Sequence, residues 1–583
     1  MTRFTLAEGG QTRYRIVLSQ NASDVEITVA RDLRRALKKL SGATFPIVRD
    51  NKRAVAQEIC VGKTNRKSFR FSGRNCGEFY RIASVGKTLF LVGGEDRGTM
   101  YAVNSFLELL GVRFFTADCE VYPYRETLVY EHRRDIYFKP IVEFRDTNWW
   151  MTESSAWCER QKINAQDHRK LPIAGGKGYF GWFVHTMGAL AEMTPPFMNK
   201  QPCLTDEKVF QTVLKNVKQR FVDFPGNNII SVSQNDGTSA DAVCRCDKCR
   251  EINEREGTLM GTTLYLANRV AEAIAEEYPD VLVDTLSYNF TTVAPKYMMP
   301  RDNVVIRFVT AFCCIHHALE DAKPSPGAGS EHKSVTFNEN LARWQDMAKT
   351  LYMWYYTTSF SNCFTPLPNF EAFRKDMAYL TKNKVRGFFL QGNNQLSGEF
   401  DELRVYLAAK LLWEPQMSRA SYYRHMDEFL EGFYGKAAKH VRAYIDLMMK
   451  TEPDTHFHLY GDPMQIYPPR WIEKDGKVVL DTSFVEKGQR IWQKALDAVK
   501  GEKKYYDRVL KSSLQHLYYE ISLRHATLES HENPKAELKA INALNRKFYR
   551  LMLRFDALFL SEGRKAGENP NLNNHPLQWH MHD

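Results

Sequence analysis

The sequence predicts an α/β protein: a (β/α)8-type barrel, preceded by a small α/β domain and followed by a helical C-terminal domain. Between residues 138 and 415, apolar strand patterns repeatedly end in polar loops and are followed by helix patterns, as in (β/α) barrels. Beyond residue 416, apolar residues recur every three or four positions, which is typical of packed helices. With 583 residues the chain is long enough for two or three domains.

The first domain, residues 1–137, alternates strand and helix patterns. A helix is predicted after the capping segment "NASD", with Val29, Leu33, Leu37 and Leu40 on its buried face. A second helix is predicted in "RGTMYAVNSFLELLG". Strands are predicted in "RYRIVLS", "TFPIV", "EICVG", "FYRIASV" and "TLFLVGG", the last two joined by a hairpin turn at Gly86-Lys87.

The barrel, residues 138–415, contains seven recognisable strand patterns. Helix patterns lie between them, for example in "TTLYLANRVAEAIAEEYP" and "FEAFRKDMAYLTKN". The strand patterns are "IVEFRDTNWW", "GYFGWFVHT", "NIISVSQNDG", "VLVDTLSYNF", "NVVIRFVTAFCC", "TLYMWYYTTSF" and "VRGFFLQGNN".

The third domain, residues 416–583, is predicted to be helical. Its helix patterns are "RASYYRHMDEFLEGFYG", "AAKHVRAYIDLMMK", "VEKGQRIWQKALDAVK", "YYDRVLKSSLQHLYYEISLRHATL" and "KAELKAINALNRKFYRLMLRFDALF". The tail "PNLNNHPLQWHMHD" is expected to be a loose polar chain end, with a metal contact by its histidines as the alternative.

Charge and hydropathy limit the classes of partner. The net charge is +11, but Lys and Arg are interleaved with 69 acidic residues and form no basic block, so we expect no nucleic acid. No apolar run is long enough to span a bilayer, and the first residues lack the apolar core of a signal peptide. We therefore expect a soluble protein, cytoplasmic as written or exported if a signal peptide has been removed.

Polar and aromatic residues follow the predicted strands. In a (β/α) barrel the residues just after the strands converge on one pocket. Rings stack on the apolar face of a sugar, and amides and carboxylates bind its hydroxyls. The set therefore predicts a carbohydrate site. Its expected substrate-binding members are Arg145, Trp149, Trp150, His185, Asn235, Tyr288, His316, Trp354, Tyr356, Gln391, Asn393 and Asn394.

Three motifs carry a family resemblance: "ISVSQNDGTSADAVCRCDKC", "TTLYLANRVAEAIAEEYPDVLVDTLSY" and "GEFDELRVYLAAKLLWEP". Over roughly residues 140–450 the chain resembles the bacterial family called domain of unknown function 4838. Some members of that family are classed as glycoside hydrolase family 163, endo-β-N-acetylglucosaminidases acting on N-glycans. The N-terminal segment resembles the α/β domain that precedes the barrel in α-glucuronidases and β-hexosaminidases. The resemblance implies action on a glycosidic bond, with an oligosaccharide or glycoprotein glycan as the partner.

Two carboxylates are the catalytic candidates under this resemblance. Glu399, in the loop before the helix of the last barrel unit, is the expected acid/base; Asp236, directly after a strand, is expected to polarise a 2-acetamido group or to stabilise the charged intermediate. Each carboxylate has a structural alternative, since Glu399 also suits a helix N-terminus and Asp236-Gly237 also suits a turn. No cofactor is expected for catalysis.

Other candidates have similar alternatives. The resemblance suggests that His185 lies near the pocket, where it would bind a sugar hydroxyl, but a histidine among aromatic residues is more often a packed structural residue. His316 and His317 are loop histidines that could also contact substrate. Trp149 and Trp150 form either a stacking platform or the two faces of one strand.

The chain also departs from the family pattern. Trp354-Tyr355-Tyr356 stands where Trp-Asp-Tyr is expected, and Leu390 and Gln391 stand near a position where some relatives carry Glu. The loop from about 165 to 203 is short against the pattern. If either acid is catalytic in the characterised enzymes, this chain has changed its substrate or lost activity.

Four cysteines form a candidate metal site. Cys244, Cys246 and Cys249 follow the strand that carries Asp236, and Cys203 precedes the helix of the previous unit. Four thiolates would make a closed, structural zinc site. Free thiols or one disulfide explain the spacing nearly as well.

Three function classes result. The first is a retaining, substrate-assisted glycosidase acting on N-acetylglucosamine-containing glycans. The second is a glycan-binding protein without catalysis, or a glycosidase of changed specificity, which the missing Asp at Tyr355 favours. The third, a nucleic-acid binder, would rest on the positive charge and the cysteines.

Overall fold

The computed structural model divides the chain into two compact units. One comprises Met1–Glu143 with Ser154–Gly176, and the other comprises Phe144–Glu153 with Lys177–Asp583. The barrel and the C-terminal helices thus lie within the second unit, and the predicted boundaries at 137 and 415 stay predictions. The structure describes residues 2–66, 77–165, 176–237, 240–311, 313–321, 336–360, 362–450, 459, 463–557, 559–561 and 564–565. Part of the loop from 165 to 203 and the histidine-containing tail lie outside these residues.

The first unit is built on a six-stranded mixed sheet in the order β10-β5-β6-β4-β2-β3. The antiparallel pairs β1-β9 and β7-β8 accompany it. Its strands are β1 Thr2–Glu8, β2 Arg15–Leu18, β3 Ile47–Arg49, β4 Glu58–Val61, β5 Tyr80–Val85, β6 Thr88–Gly93, β7 Arg113–Thr116, β8 Cys119–Val121, β9 Thr127–His132 and β10 Ile136–Phe138. Its helices are α1 Asp24–Ser41, α2 Asp96–Leu109 and α3 Ser155–Arg160.

Helix α1 forms where the sequence predicts it. Ser23 and Glu26 make a reciprocal capping box at its start, and Gly42 ends it in the left-handed conformation. The predicted apolar face is buried. The hairpin at Gly86-Lys87 is also confirmed, because β5 and β6 pair antiparallel up to Val85 and Thr88.

The second unit begins with the predicted parallel sheet, in the order β11-β16-β15-β14-β13-β12. The sheet curls as a half-barrel, so the predicted fold class is confirmed. The strands are β11 Phe144–Thr147, β12 Ile229–Ser231, β13 Leu282–Ser287, β14 Val304–Val309, β15 Thr350–Tyr356 and β16 Val385–Gln391. The helices between and after them are α4 Met187–Leu190, α5 Glu207–Asp223, α6 Asp247–Glu256, α7 Met260–Ile274, α8 Phe337–Met347, α9 Phe370–Lys382 and α10 Asp401–Trp413.

The seventh strand pattern, "GYFGWFVHT", contributes a single parallel bridge between Tyr179 and Ile229. Gly181 has φ +89°, a left-handed conformation that interrupts an extended strand. The segment therefore joins the sheet at one residue and then turns across the ends of the strands.

The inside of the barrel holds a buried ion pair. Arg307 on β14 and Asp284 on β13 are almost fully buried, with Nη2 and Oδ2 3.0 Å apart. The Tyr179 hydroxyl donates to the same Asp284 oxygen over 3.1 Å. Tyr352 stacks on the Phe144 ring at 5.3 Å between centroids. The interior of the barrel therefore contains this ion pair together with packed aromatic rings.

The rest of the second unit is mainly helical, as predicted. One predicted helix divides at Ser513 into α15 and α16, and an exposed hairpin, β17-β18, was not predicted. Phe364, from the loop after β15, is buried in a cluster with Leu514, Tyr518, Ile521 and Phe548, which packs helices against the barrel. The elements are α11 Arg419–Tyr434, α12 Ala438–Lys450, α13 Pro463–Ile466, β17 Trp471–Lys474, β18 Lys477–Leu480, α14 Ser483–Ala498, α15 Lys503–Ser512, α16 Leu514–Ala526, α17 Pro534–Arg554, β19 Phe559–Ser561 and β20 Arg564–Lys565.

Within the described residues, no helix combines the length and the apolar character needed to cross a membrane.

Candidate functional site

A histidine–carboxylate pair lies where the strands of the barrel end. His185 Nε2 is 3.9 Å from Asp236 Oδ1, and the two side chains are 26% and 46% exposed. The His185 ring lies 6.1 Å from the ring of Tyr288, which follows β13. Three predicted residues are thus brought together: Asp236 and Tyr288 from the loops after β12 and β13, and His185 from the segment that bridges to the sheet at Tyr179. Solvent reaches the pair.

Local backbone geometry orients this pair. His185 has φ +51°, an uncommon conformation for a non-glycine residue. Its Nδ1 lies 2.9 Å from the Gln234 carbonyl oxygen. Because a carbonyl only accepts, Nδ1 carries the proton and Nε2 faces Asp236. The 3.9 Å separation is longer than a direct hydrogen bond, so a hydroxyl or water can bridge the two side chains.

Phe183, two residues before His185, belongs to an aromatic wall with Trp354 and Phe389. The Phe183 ring stacks on Trp354 at 5.7 Å and contacts Phe389 at 5.2 Å. Trp354 donates from Nε1 to the Gln391 side-chain oxygen over 2.7 Å and lies 6.3 Å from the Tyr356 ring. Trp354 and Tyr356 are 8% and 9% exposed, so only their edges reach solvent.

Trp182 is an exposed ring that the sequence analysis did not single out. It is 59% exposed and lies 5.3 Å from the Phe183 ring. Phe183 of the aromatic wall and His185 lie on the same segment. The signal was present in "GYFGWFVHT", but strand alternation does not predict which ring a turn at Gly181 leaves exposed. An exposed ring beside a polar pair is suited to stack on a sugar.

Glu399 lies in a buried salt bridge. Arg404 donates to both of its oxygens, from Nε to Oε2 and from Nη2 to Oε1, the latter over 2.8 Å. The side chains are 3% and 6% exposed. Burial raises the pKa of Glu399 although the Arg404 guanidinium opposes this. A raised pKa suits a general acid, but the pairing holds the carboxyl away from solvent, so its role as acid/base stays a prediction.

The side-chain amides of two predicted binding residues, Asn235 and Asn393, are hydrogen-bonded to backbone groups. The Asn235 side chain accepts from Gly188 N and donates to the Lys200 carbonyl oxygen over 2.8 Å. The Asn393 side chain accepts from Gln395 N and donates to the Ser397 carbonyl oxygen, both over 3.0 Å. Both amides therefore fix loops of the site. By contrast, Asn394 is exposed.

The two tryptophans after β11 are packed. Trp149 is 1% exposed and lies against Gly392, where any Cβ would collide with the indole. Trp150 donates from Nε1 to Asp401 Oδ2 over 2.7 Å, and Lys511 lies 5.5 Å from its ring. The rim-and-core alternative therefore describes this dipeptide better than a stacking platform.

Arg145 and His316 also lie in buried surroundings. The Arg145 guanidinium is 5.3 Å from the ring of Trp413 on α10. The Cys314 sulfur lies 3.3 Å from Nδ1 of both His316 and His317, so these three residues form a second group with metal-ligand spacing. His316 is 1% exposed.

The position of the expected acid in "WYY" faces away from the barrel interior. Tyr352 on β15 points inward, and Tyr355 points outward to α9, donating to Asp376 Oδ2 over 2.7 Å. Burial raises the pKa of Asp376 to about 7. In this structure, a side chain at 355 contacts α9.

The four predicted cysteines do come together. Their sulfur atoms all lie within 4.8 Å of one another. Cys203 Sγ is 3.7 Å from Cys246 Sγ and 3.7 Å from Cys249 Sγ. The cluster joins the segment before α5 to the start of α6.

The second unit thus combines a six-stranded parallel sheet with rings, amides and a carboxylate near its strand ends. The structure is similar over nearly its whole length to the solved structure of CpGH84B, a glycoside hydrolase, with a TM-score of 0.50 and 12% identity over 96% of this chain and 94% of that one. This likeness shows a glycosidase-type fold.

The chain belongs to the family described as domain of unknown function (DUF4838), whose model matches residues 114–446. A second similar structure is that of a GH138 enzyme targeting pectin rhamnogalacturonan II, with a TM-score of 0.44 and 11% identity over 95% of this chain and 76% of that one. No curated protein sequence matches the chain.

Proposed function

We propose that the protein is a glycoside hydrolase acting on N-acetylglucosamine-containing glycans, with retention of configuration and substrate-assisted catalysis. The observation that carries the proposal is the solvent-reached pair of His185 and Asp236 at the strand ends of a glycosidase-type barrel. Trp182, three residues before His185 and 59% exposed, supplies a surface on which a pyranose ring can stack.

In substrate-assisted hydrolysis the sugar supplies its own nucleophile. The acetamido oxygen attacks C1 while the leaving oxygen takes a proton from an acid, and water then opens the cyclic intermediate with the same residue acting as base. The role proposed for Asp236 is to accept the acetamido N–H and to stabilise the positive charge that develops on this group. The role proposed for His185 Nε2 is to bind a hydroxyl of the same sugar.

Glu399 remains the predicted acid/base. Its raised pKa suits proton donation, and Arg404 must release one oxygen before the carboxyl can meet a leaving group. Asp236, the other predicted catalytic carboxylate, needs no such rearrangement. The two assignments are therefore separable by mutation.

The test is glycan release from a complex-type N-glycoprotein, followed by mass spectrometry. We expect products cut within the chitobiose core from the wild type, and none from Asp236→Asn. The matched control is Asp241→Asn, since Asp241 is an exposed aspartate in the same connection, and it should retain wild-type turnover. Release that persists in Asp236→Asn would refute the role of Asp236.

A second candidate is a glycan-binding protein without turnover. The salt bridge that occupies both oxygens of Glu399 favours it. Binding to an N-glycan array with no product over long incubation would support this candidate, and binding should change little with salt because the glycan is neutral.

A further inference from the structure

The cysteine cluster has the dimensions of a tetrathiolate metal site. With zinc–sulfur bonds of about 2.3 Å, a tetrahedron has sulfur–sulfur edges of about 3.8 Å. The separations of Cys203 Sγ from the Cys246 and Cys249 sulfurs are both 3.7 Å. A disulfide would require about 2.05 Å between sulfurs, and these cysteines are free. The spacing therefore fits a shared ion better than a covalent bond.

The surroundings add a further feature of such sites. Thr205 Oγ1 lies 3.1 Å from Cys249 Sγ and 3.5 Å from Cys203 Sγ. A hydroxyl that donates to a metal-bound thiolate fixes the ligand and offsets part of its charge. Cys246 precedes the first turn of α6 as its N-cap, and Cys249 lies within that turn, where the helix dipole favours anionic sulfur.

We propose that Cys203, Cys244, Cys246 and Cys249 bind one structural zinc ion, and that this ion positions the loop that carries Asp236. All four positions would be filled by protein, so the ion would have no open site for substrate. The positioning part rests on the proposed function; the metal-binding part stands alone.

The route from the cluster to Asp236 is short. Two residues before Cys203, the Gln201 side chain both donates to the Asn235 carbonyl oxygen and accepts from Asn235 N, over 2.9 and 3.1 Å. Asn199 N donates to the Asp236 carbonyl oxygen over 2.8 Å. Fixing Cys203 against α6 therefore fixes the backbone that presents the Asp236 carboxylate.

Metal content tests the first part on the full chain. Protein purified without chelators from zinc-supplemented medium should contain one zinc per chain by plasma mass spectrometry. Cys249→Ala should lose at least nine-tenths of it, while Cys60→Ala, which removes an equally buried thiol in the first unit, should keep it. Wild-type protein with less than a tenth of a zinc per chain, or with these four cysteines in disulfides, overturns the proposal.

Hydrogen exchange tests the second part without relying on activity. Removing zinc from the wild type with a chelator should raise exchange of the amides at 199–201 and 235–237, and adding zinc back should restore protection. Unchanged exchange in a protein that has lost its zinc refutes the positioning role. Zinc with protection but no glycan release would refute only the proposed hydrolase.

Discussion

Breaking the salt bridge between Glu399 and Arg404 should lower the stability of the protein by a measurable amount. In Glu399→Gln the neutral amide leaves the Arg404 guanidinium buried without its counter-charge, at a site where the two side chains are 3% and 6% exposed. Removing one member of a buried pair costs about 3–5 kcal/mol of unfolding free energy. With about 2.1 cal/mol/K of unfolding entropy per residue over the roughly 400 residues of the second unit, the melting midpoint should fall by about 4–6 °C.

The assay is calorimetry, with turnover measured well below the midpoint. The control is Glu277→Gln, which breaks an exposed pair with Lys218 and should leave the midpoint unchanged. Glu399→Gln combined with Arg404→Met should destabilise less than the sum of the single variants, because the two side chains interact. A Glu399→Gln midpoint within about 1 °C of wild type would show that the salt bridge does not stabilise the fold. Lost turnover at an unchanged midpoint would assign Glu399 to catalysis alone.

Two further predictions concern the site and its support. Trp182→Ala should weaken glycan binding by about 1 kcal/mol, or roughly fivefold in Kd by titration calorimetry, whereas Trp471→Ala, an exposed tryptophan on a hairpin, should not; equal affinity in the two variants would remove Trp182 from the site. Because the pKa of Asp376 is raised to about 7, its folded state favours the neutral carboxyl, so its contribution to stability is present below pH about 4 and is lost as pH rises towards 7. Between about pH 4 and pH 7, the free energy of unfolding measured with urea should fall by on the order of 4 kcal/mol more in the wild type than in Asp376→Asn. Parallel pH profiles for the two proteins would contradict the raised pKa.

The sequence predicted the strands of the barrel because each is a short apolar run bounded by polar residues. It did not predict the ion pair of Asp284 and Arg307, since a charge within a strand pattern normally indicates the solvent face. Nor did it predict that Arg404, one turn into α10, would bind both oxygens of Glu399. Such pairings depend on which helices cover the loop, and that is decided by tertiary packing.

Only part of the candidate site could be predicted from the sequence, because tertiary packing also decides how its side chains are oriented. Residues that follow strands converge because parallel strands end at one edge, which places Asp236 and Tyr288 in one region. His185 meets them from a segment that bridges to the sheet only at Tyr179 and is held by the Gln234 carbonyl. Whether a strand-end side chain then faces solvent or holds a loop depends on local hydrogen bonds. Asn235 and Asp236 are neighbours in sequence, yet the first is buried against backbone groups and the side chain of the second is 46% exposed.

Asp236 and its neighbours are proposed to form a hydrolytic carbohydrate site. The most direct test compares glycan release from an N-glycoprotein by wild type, Asp236→Asn and Asp241→Asn, followed by mass spectrometry. The wild type and Asp241→Asn should both cleave the chitobiose core, and folded Asp236→Asn should not. Equal release by all three proteins would contradict the placement of the site, and no release by the wild type would contradict the N-glycan activity.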